Sequence, residues 1–304
     1  MPKIYPAALL IALGVTILAQ QAPAPSRGGQ PAAAPPSNSR IKTYDVTTKN
    51  VVEVYSSAGY FESPDFSADG KYIRFNGNDK LYQIPVTGGG AKAIGPANMV
   101  FNHDRGRSRD GMWEAAMNGP HGLVFNTDWT HSTPVAGPFF IHAMSPDGEW
   151  LAGNCGGRVC RVPRGGGQLE PLTSVGGTDN ADFSPDGRWI YFDSRRSGKG
   201  EIWRIPAGGA GPDDSLAERI TDDDSQNRFP HPSPDGKWIV LMSYPPGTVG
   251  RSGVPVSIRL IPAPGPNATP AKSAELLMLI GGQGTMHRNS WSPDSTKFAF
   301  ASFE

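Results

Sequence analysis

Five ionisable side chains of this sequence recur at one fixed position ahead of a repeated tetrapeptide. Glu62, His103, Asp179, Arg228 and His287 each stand five residues before a serine that opens a Ser-x-Asp-Gly or Ser-x-Asp-Ser sequence. Imidazole and carboxylate groups at matched positions can hold a divalent metal ion or transfer protons, and a guanidinium group can bind an anionic ligand. If the repeats form a ring, these side chains converge on its centre and create one polar site.

The candidate ligand-binding residues all lie within a few positions ahead of a tetrapeptide. They are Glu62, His103, Asp104, Asp179, Asn180, Arg228, His231 and His287. His103 and His287 are the candidate metal ligands for manganese, calcium or zinc, although no motif requires a cofactor. The alternative interpretation is a water-filled polar channel in which the histidines satisfy backbone groups of neighbouring repeats.

Known catalytic motifs are absent from the sequence. It has no His-Glu-x-x-His zinc motif, phosphate-binding loop, paired Cys-x-x-Cys, dinucleotide fingerprint or Gly-x-Ser-x-Gly elbow. This favours binding without catalysis. The alternative is a carbohydrate-active enzyme, a polysaccharide lyase or glycoside hydrolase. There Arg228 would neutralise a uronate carboxylate, while His103 or His287 abstracts a proton or holds a metal. Glu62 and Asp179 are the one carboxylate pair we nominate for a glycosidase.

The tetrapeptide predicts the elements that position these side chains. Ser184-Pro185-Asp186-Gly187 fits a type I turn that closes a β-hairpin. The following segment, Trp189–Phe192, is apolar at successive positions, which indicates a strand covered on both faces. A third strand at Glu201–Ile205 and a fourth near Glu218–Thr221 complete a four-stranded unit.

Six copies of this turn divide the chain into units. Their aspartates are Asp69, Asp110, Asp147, Asp186, Asp235 and Asp294. The spacing of about 40 residues is typical of propeller blades. The last copy has only two strands, and residues 40–46 and 51–55 resemble the two that it lacks. We therefore predict an all-β, six-bladed β-propeller of four-stranded antiparallel blades, closed by N-terminal strands that complete the last blade. Ser295 replaces the usual glycine and should adopt a left-handed conformation at a cost of about 1 kcal/mol.

Composition and the N-terminal segment indicate where the protein acts. The 304 residues carry 28 basic and 28 acidic side chains, so no charge excess points to nucleic acid or an anionic membrane surface. Residues 1–19 indicate a signal peptide, because Lys3 precedes an apolar run that is shorter than the roughly 20 residues of a membrane span. A retained anchor is the alternative. Residues 20–39 predict a disordered Pro/Ala-rich tether before a propeller at 40–304. We expect an exported monomer, periplasmic or secreted.

The two cysteines, Cys155 and Cys160, lie five positions apart. If Gly157-Arg158 forms a two-residue turn, they face each other across a hairpin within bridging distance. An exported protein would join them in a disulfide. Two buried thiols, or a metal pair, are the alternatives.

The Ser-Pro-Asp-Gly turn, the aromatic-rich strand after it and the Ile-x-x-Ile-Pro type of strand resemble the TolB-like propeller repeat, a relative of the WD repeat. The resemblance covers nearly everything after Arg40. TolB is periplasmic, works with a peptidoglycan-associated lipoprotein, and carries an α/β domain that this sequence lacks before its propeller. The repeats also resemble those of prolyl-oligopeptidase-type peptidases and of oligogalacturonate lyases, but no site motif matches by position.

The prediction for function is therefore a binding module. It would recognise an envelope protein such as a peptidoglycan-associated lipoprotein, or an oligosaccharide, at the mouth of the central channel.

Overall fold

The computed structural model describes residues 37–135, 137–248, 253–265 and 274–304. The predicted signal peptide at 1–19, and residues 20–36 of the predicted tether, lie outside the described residues. In the part of the chain that the structure describes, no helix has the length and apolar character needed to cross a membrane.

The described chain is all-β, and its sheets are six antiparallel blades. Blade 1 holds β3 (Phe61–Phe66), β4 (Tyr72–Gly77), β5 (Lys80–Pro85) and β6 (Lys92–Ile94); blade 2 holds β7 (Phe101–Arg107), β8 (Trp113–Asn118), β9 (His121–Asn126) and β10 (Ser132–Val135); blade 3 holds β11 (Phe140–Met144), β12 (Trp150–Cys155), β13 (Arg158–Pro163) and β14 (Glu170–Pro171). Blade 4 holds β15 (Thr178–Phe183), β16 (Trp189–Ser194), β17 (Glu201–Pro206) and β18 (Glu218–Arg219); blade 5 holds β19 (Gln226–Pro232), β20 (Trp238–Tyr244), β21 (Val254–Pro262) and β22 (Ala274–Gly281); blade 6 holds β23 (Lys297–Phe303), β1 (Asn38–Asp45) and β2 (Val51–Ala58). Short 3-10 helices occupy Pro212–Asp214 and Gln283–Thr285.

The sixth blade closes the ring as predicted. Strand β1 pairs antiparallel with β23, from Ser39 opposite Phe303 to Asp45 opposite Lys297. The predicted innermost strand at residues 289–291 is reduced to one bridge between Trp291 and Phe298. The Ala299 N–H still donates to the carbonyl of Ser290 at 2.9 Å. The Asn289 amide ties the segment to blade 5 by donating to the carbonyl of Pro232 at 2.8 Å.

The repeated turn is a network of side-chain hydrogen bonds. In blade 4 the Ser184 hydroxyl donates to the Asp186 carboxylate at 2.5 Å and accepts the Trp189 N–H at 2.9 Å, while the same carboxylate accepts the Arg188 N–H at 3.1 Å. The serine-to-aspartate bond recurs in all six copies. Ser295 has φ 61°, as its place in the turn requires. The motif therefore specifies the turn through side chains as well as through backbone preference.

Both faces of the blade strands are covered. In β16, Ile190 and Phe192 pack with Val159 of blade 3. Tyr191, which points the other way, packs with Ile239 and Leu241 of blade 5. The run of successive apolar residues in the sequence reflects this arrangement.

The hairpin that carries the cysteines differs from the prediction in register. Cys155 is opposite Arg158, and the turn is Gly156-Gly157, where both glycines have positive φ as a two-residue turn requires. Cys160 therefore lies opposite Gly153 and diagonal to Cys155. The cysteines are joined in a disulfide, with their Cα atoms 5.9 Å apart.

Candidate functional site

The first strand of each blade lines the centre of the ring, and in five blades it contains a β-bulge ahead of the turn. In three blades the bulge holds a non-glycine residue with positive φ, namely Ser63, Asn180 or Phe229. A bulge re-aims the neighbouring side chains. The residue just before each of these three is a predicted site residue: Glu62, Asp179 or Arg228.

These side chains meet at one end of the channel, which we call the funnel. Its partly exposed members are Glu62, His103, Asp179 and Arg228, and Phe140 stands half-exposed at the corresponding position of blade 3. The structure thus brings together the positions that the sequence placed five residues before each turn serine.

Glu62 and His103 form one partly exposed ion pair of the funnel. Nδ1 of His103 lies 3.0 Å from Oε1 of Glu62, and the Tyr60 hydroxyl donates to Oε2 of Glu62 at 2.9 Å. Burial lowers the pKa of His103, but the hydrogen bond to Glu62 and its charge outweigh that effect and raise the pKa to about 9. Burial opposes ionisation of Glu62 as well, yet His103 holds the pKa of this carboxyl below its usual value. The pair is therefore ionised at neutral pH.

His287 lies deeper and has the opposite character. Its Nε2 is 2.9 Å from Oδ1 of Asp104, and its ring centre is 4.2 Å from that of His103. Burial, reinforced by the positive charge of His103, lowers the pKa of His287 to about 4 in spite of Asp104. Burial disfavours the charged form of Asp104, but the hydrogen bond to His287 and the nearby imidazoles hold the pKa of this carboxyl well below its usual range.

Three of these groups could hold a metal ion. His103, Asp104 and His287 each place one ligand atom within 4.8 Å of the other two. Gln283 adds an amide, with its Nε2 3.3 Å from Nε2 of His103. Two imidazoles and a carboxylate suit zinc or manganese, and Glu62 on the far nitrogen of His103 is the outer carboxylate that metal-binding histidines commonly have.

On the other side of the funnel, Arg228 lies between two carboxylates. Its Nη2 is 3.2 Å from Oδ2 of Asp179 and its Nε is 3.5 Å from Oδ1 of Asp193. Asp179 and Asp193 are directly opposite each other on β15 and β16. Burial works against ionisation of Asp179, but His142 and Arg228 lower its pKa; burial dominates at Asp193 and raises the pKa of that carboxyl.

Asn180, His231 and His142 are buried and make contacts between strands. The Asn180 amide donates to Asp193. Nδ1 of His231 is 3.0 Å from Oδ2 of Asp182 and its Nε2 is 3.0 Å from the carbonyl oxygen of Met286, so both ring nitrogens are engaged.

His142 links the two halves of the funnel. Its Nδ1 accepts the N–H of Ala181 at 3.1 Å, and its Nε2 is 3.6 Å from Asp179. His142 and Phe229 both pack against the His287 ring. Groups from all six blades are therefore in one contact network.

Sequence reasoning did not identify Asp193 as part of this network. It lies on a second strand, outside the stretch ahead of the turn that the repeat picks out. The antiparallel pairing of a blade could have found it, because the residue opposite Asp179 across the hairpin shares its environment.

Comparisons with known proteins agree with the β-propeller fold of the chain. No protein-family model matches the chain. The chain is 32% identical over 284 residues to an uncharacterised protein of Agrobacterium fabrum, and the match spans 87% of this chain and 92% of the relative. The solved structure of a candidate TolB from Agrobacterium tumefaciens has a TM-score of 0.78 at 30% identity, covering 88% of this chain and 98% of that one. A chain of a nidogen/laminin complex, with a TM-score of 0.53 at 8% identity over 87% of this chain and 98% of that one, shares the fold alone.

Proposed function

The chain belongs to the TolB-like family of six-bladed β-propellers, and on this premise we propose that it is an exported binding module. The module recognises an envelope protein, such as a peptidoglycan-associated lipoprotein, or a glycan of the cell envelope, at the mouth of the funnel. The observation that carries this proposal is the set of paired charges at the funnel, with Phe140 exposed at the corresponding position of blade 3.

The funnel is a preorganised polar surface. Glu62 is paired with His103, and Asp179 with Arg228, and these side chains remain partly exposed. Groups that are already fixed lose little conformational freedom when a partner binds. Phe140 is 52% exposed and offers the apolar contact area that aromatic residues provide in binding sites.

The same charge pairs argue against glycoside hydrolysis. A glycosidase needs one carboxyl group that stays protonated near neutral pH and acts as the general acid. The pKa values of Glu62, Asp104 and Asp179 are all lowered by neighbouring cationic groups, although burial opposes ionisation of each. Asp193 has a raised pKa, but it is buried behind Arg228.

Calorimetry with the purified protein tests the proposal. The probes are the soluble domain of a peptidoglycan-associated lipoprotein from the same organism and a set of acidic and neutral oligosaccharides. We expect one of them to bind, and Phe140→Ala to weaken that binding about tenfold or more. Met278→Ala is the matched control, because Met278 is also an exposed apolar side chain but lies on the outer strand of blade 5. Failure of every probe to bind, or an equal loss in both variants, would count against the proposal.

A second arm addresses the enzyme alternative, which the group of His103, Asp104 and His287 favours. Thermal unfolding is followed with manganese, calcium or zinc added, and the oligosaccharides are then assayed for cleavage. A ligand that binds the native state raises its apparent stability. Metal-dependent cleavage that is lost in His287→Ala would replace the binding proposal with the enzyme alternative.

Export is a separate part of the proposal and has its own test. Sequencing of the N-terminus of the protein recovered from a periplasmic fraction and from the medium should show that the predicted signal peptide at 1–19 has been removed. Recovery of the full-length chain in the cytoplasm would contradict export.

A further inference from the structure

The turn side of the channel, opposite the funnel, contains a second cavity. It has a volume of about 230 Å³, and we call it the turn-side pocket. Its rim is formed by the second residue of every turn motif, namely Ala68, Arg109, Pro146, Pro185, Pro234 and Pro293. Four of the six are prolines, whose side chains are apolar and whose rings fix φ, so this rim is largely apolar and stiff.

Below the rim, arginines outnumber the carboxylates that face them. Arg74 contacts Asp65 and Glu114 at 2.6 Å each, and Arg105 contacts the same two carboxylates at 3.1 and 3.3 Å. All four side chains are buried. Two acidic groups are thus already engaged by two guanidinium groups.

Two further arginines must share those carboxylates. Arg107 and Arg288 approach Asp65 only at 3.9 and 3.8 Å, which is too far for a hydrogen bond. Both line the turn-side pocket. Burial lowers the pKa of Arg107 to about 10, and repulsion from Arg74 and Arg288 adds to this effect.

Donors of this cluster are left without acceptors. Among the described residues, Nε and Nη1 of Arg288 and Nε of Arg105 have no hydrogen-bond partner, although Arg288 is only 5% exposed and Arg105 is fully buried. Buried donors of a charged group are costly to leave unpaired. The arrangement therefore lacks a negatively charged acceptor.

Asp182, another carboxylate that lines the pocket, does not supply it. Its Oδ2 is engaged by Nδ1 of His231 at 3.0 Å and by the Asn289 amide at 3.0 Å. Asp182 adds some favourable charge for Arg288, but it makes no direct ion pair with that arginine among the contacts of the described residues.

We propose that the turn-side pocket binds a small oxyanion, a carboxylate or phosphate group of a small ligand, through Arg288 with Arg105 and Arg107. A guanidinium group presents its donors in a planar fork that matches either group. The oxyanion brings the charge and the acceptors that the cluster lacks, and the pocket has room for one such group with a few attached atoms. His142 lines this pocket and also approaches Asp179 of the funnel at 3.6 Å. The three arginines of the proposed anion site are separate from the predicted ligand-binding residues of the funnel, so the anion site stands or falls independently of the binding function proposed above.

Calorimetry with the full-length protein at constant ionic strength tests this site. The probes are inorganic phosphate and glucuronate, with glucose as the neutral control. We expect phosphate, glucuronate or both to bind, and the two anions distinguish a phosphate ligand from a carboxylate ligand. Arg288→Met should weaken the binding about tenfold or more, because it removes charge-assisted hydrogen bonds while keeping much of the volume. Arg188→Met, a change of the same kind at an exposed arginine, should leave it unchanged.

Arg107→Met is the second variant in case Arg288→Met does not fold. The Arg107 side chain is less deeply buried and makes one short bond, to the carbonyl of Phe66 at 2.7 Å. The Arg107→Met substitution should also weaken anion binding while the protein stays folded. Absence of binding of both anions to the unaltered protein would overturn the proposal. Binding that survives both substitutions, or that glucose matches, would overturn it as well.

Discussion

At the scale of single residues, His103 and His287 show how the same side chain acquires opposite protonation states in adjacent positions. His103 faces Glu62 and has a pKa of about 9, whereas the enclosed His287 has a pKa of about 4. A charged neighbour dominates the first and loss of hydration dominates the second. Only one of the two rings is therefore cationic at neutral pH.

This difference predicts the pH dependence of stability. His103 has a raised pKa in the folded state, so its contribution is complete below the ordinary value of 6.5 and is lost as the pH rises towards 9. His287 has a lowered pKa, so stability is lost as the pH falls from 6.5 towards 4. For these two groups the stability is greatest near pH 6.5. Urea unfolding at a series of pH values in a chelating buffer measures this.

Glu62→Gln is the variant that isolates the contribution of His103 to the pH dependence of stability. It removes the charge that raises the pKa of His103, so burial should bring this pKa to its ordinary value or below, as NMR titration of the histidines would show. The loss of stability on the alkaline side should disappear, and the loss on the acidic side should remain. An unchanged alkaline limb in Glu62→Gln would contradict the assignment to this pair.

A second prediction concerns Gly284, which packs against Glu62 of this pair. A Cβ atom at this position would lie 2.3 Å from Oε2 of Glu62 and 2.3 Å from the Tyr60 hydroxyl oxygen. Gly284→Ala should therefore displace Glu62 and lower the pKa of His103, as measured by NMR, with a loss of about 1–3 kcal/mol in the free energy of unfolding. Gly90→Ala is the control, because a Cβ there meets no atom within 4 Å. If the pKa of His103 in Gly284→Ala stayed the same as in the unaltered protein, the prediction would be wrong.

At the scale of elements, the turn is the part of the structure that the sequence specified most completely. Ser184 and Asp186 contact each other and the backbone within one short segment, so local sequence is sufficient information. The bulge residues Ser63, Asn180 and Phe229 were not predicted, because they share no residue type that favours positive φ. The register of the cysteine hairpin was also wrong, since two adjacent glycines beside Arg158 allow more than one turn position.

The sixth turn provides a prediction at this scale. Ser295 adopts φ 61°, which costs about 1 kcal/mol for a residue with a Cβ, but its hydroxyl accepts the N–H of Asp235 at 3.0 Å. Ser295→Gly removes both effects and should change the free energy of unfolding by less than about 0.5 kcal/mol. Ser295→Ala removes only the hydrogen bond and should lose about 1 kcal/mol. Thermal or urea unfolding measures the stability of both variants. Equal losses in Ser295→Gly and Ser295→Ala would contradict the idea that the hydrogen bond offsets the backbone strain.

The equivalent glycine of blade 5 is the matched control. Gly236 has φ 72°, and a Cβ there would come within 3.4 Å of Pro185. Gly236→Ala should lose about 1–2 kcal/mol, because it introduces the left-handed strain without any new hydrogen bond.

At the scale of the whole molecule, the sequence predicted the number of blades but not the buried charge between them. The repeat spacing and the two complementary ends were enough for a closed six-bladed ring. The cluster of Asp65, Arg74, Glu114 and Arg288 joins blades 1, 2 and 6. Asp65 and Arg74 face each other across the hairpin of β3 and β4. Glu114 and Arg288 are far from them in sequence, and only the ring brings these two residues to the pair. A charged residue in a strand gives no local sign that it is buried.

Closure of the ring gives the last prediction. Ile41 of β1 is fully buried with Ala299 and Phe303 of β23. Ile41→Ala should lower the free energy of unfolding by about 2–5 kcal/mol, the usual loss for such a truncation in a core. If closure holds all six blades together, urea unfolding of Ile41→Ala stays a single transition with an unchanged slope. Ile190→Ala, which truncates a buried side chain of blade 4, should behave in the same way. Val52→Ala is the control, because Val52 is exposed and its truncation should change the free energy of unfolding little. A separate early transition in Ile41→Ala alone would instead show that the last blade opens without the rest of the ring.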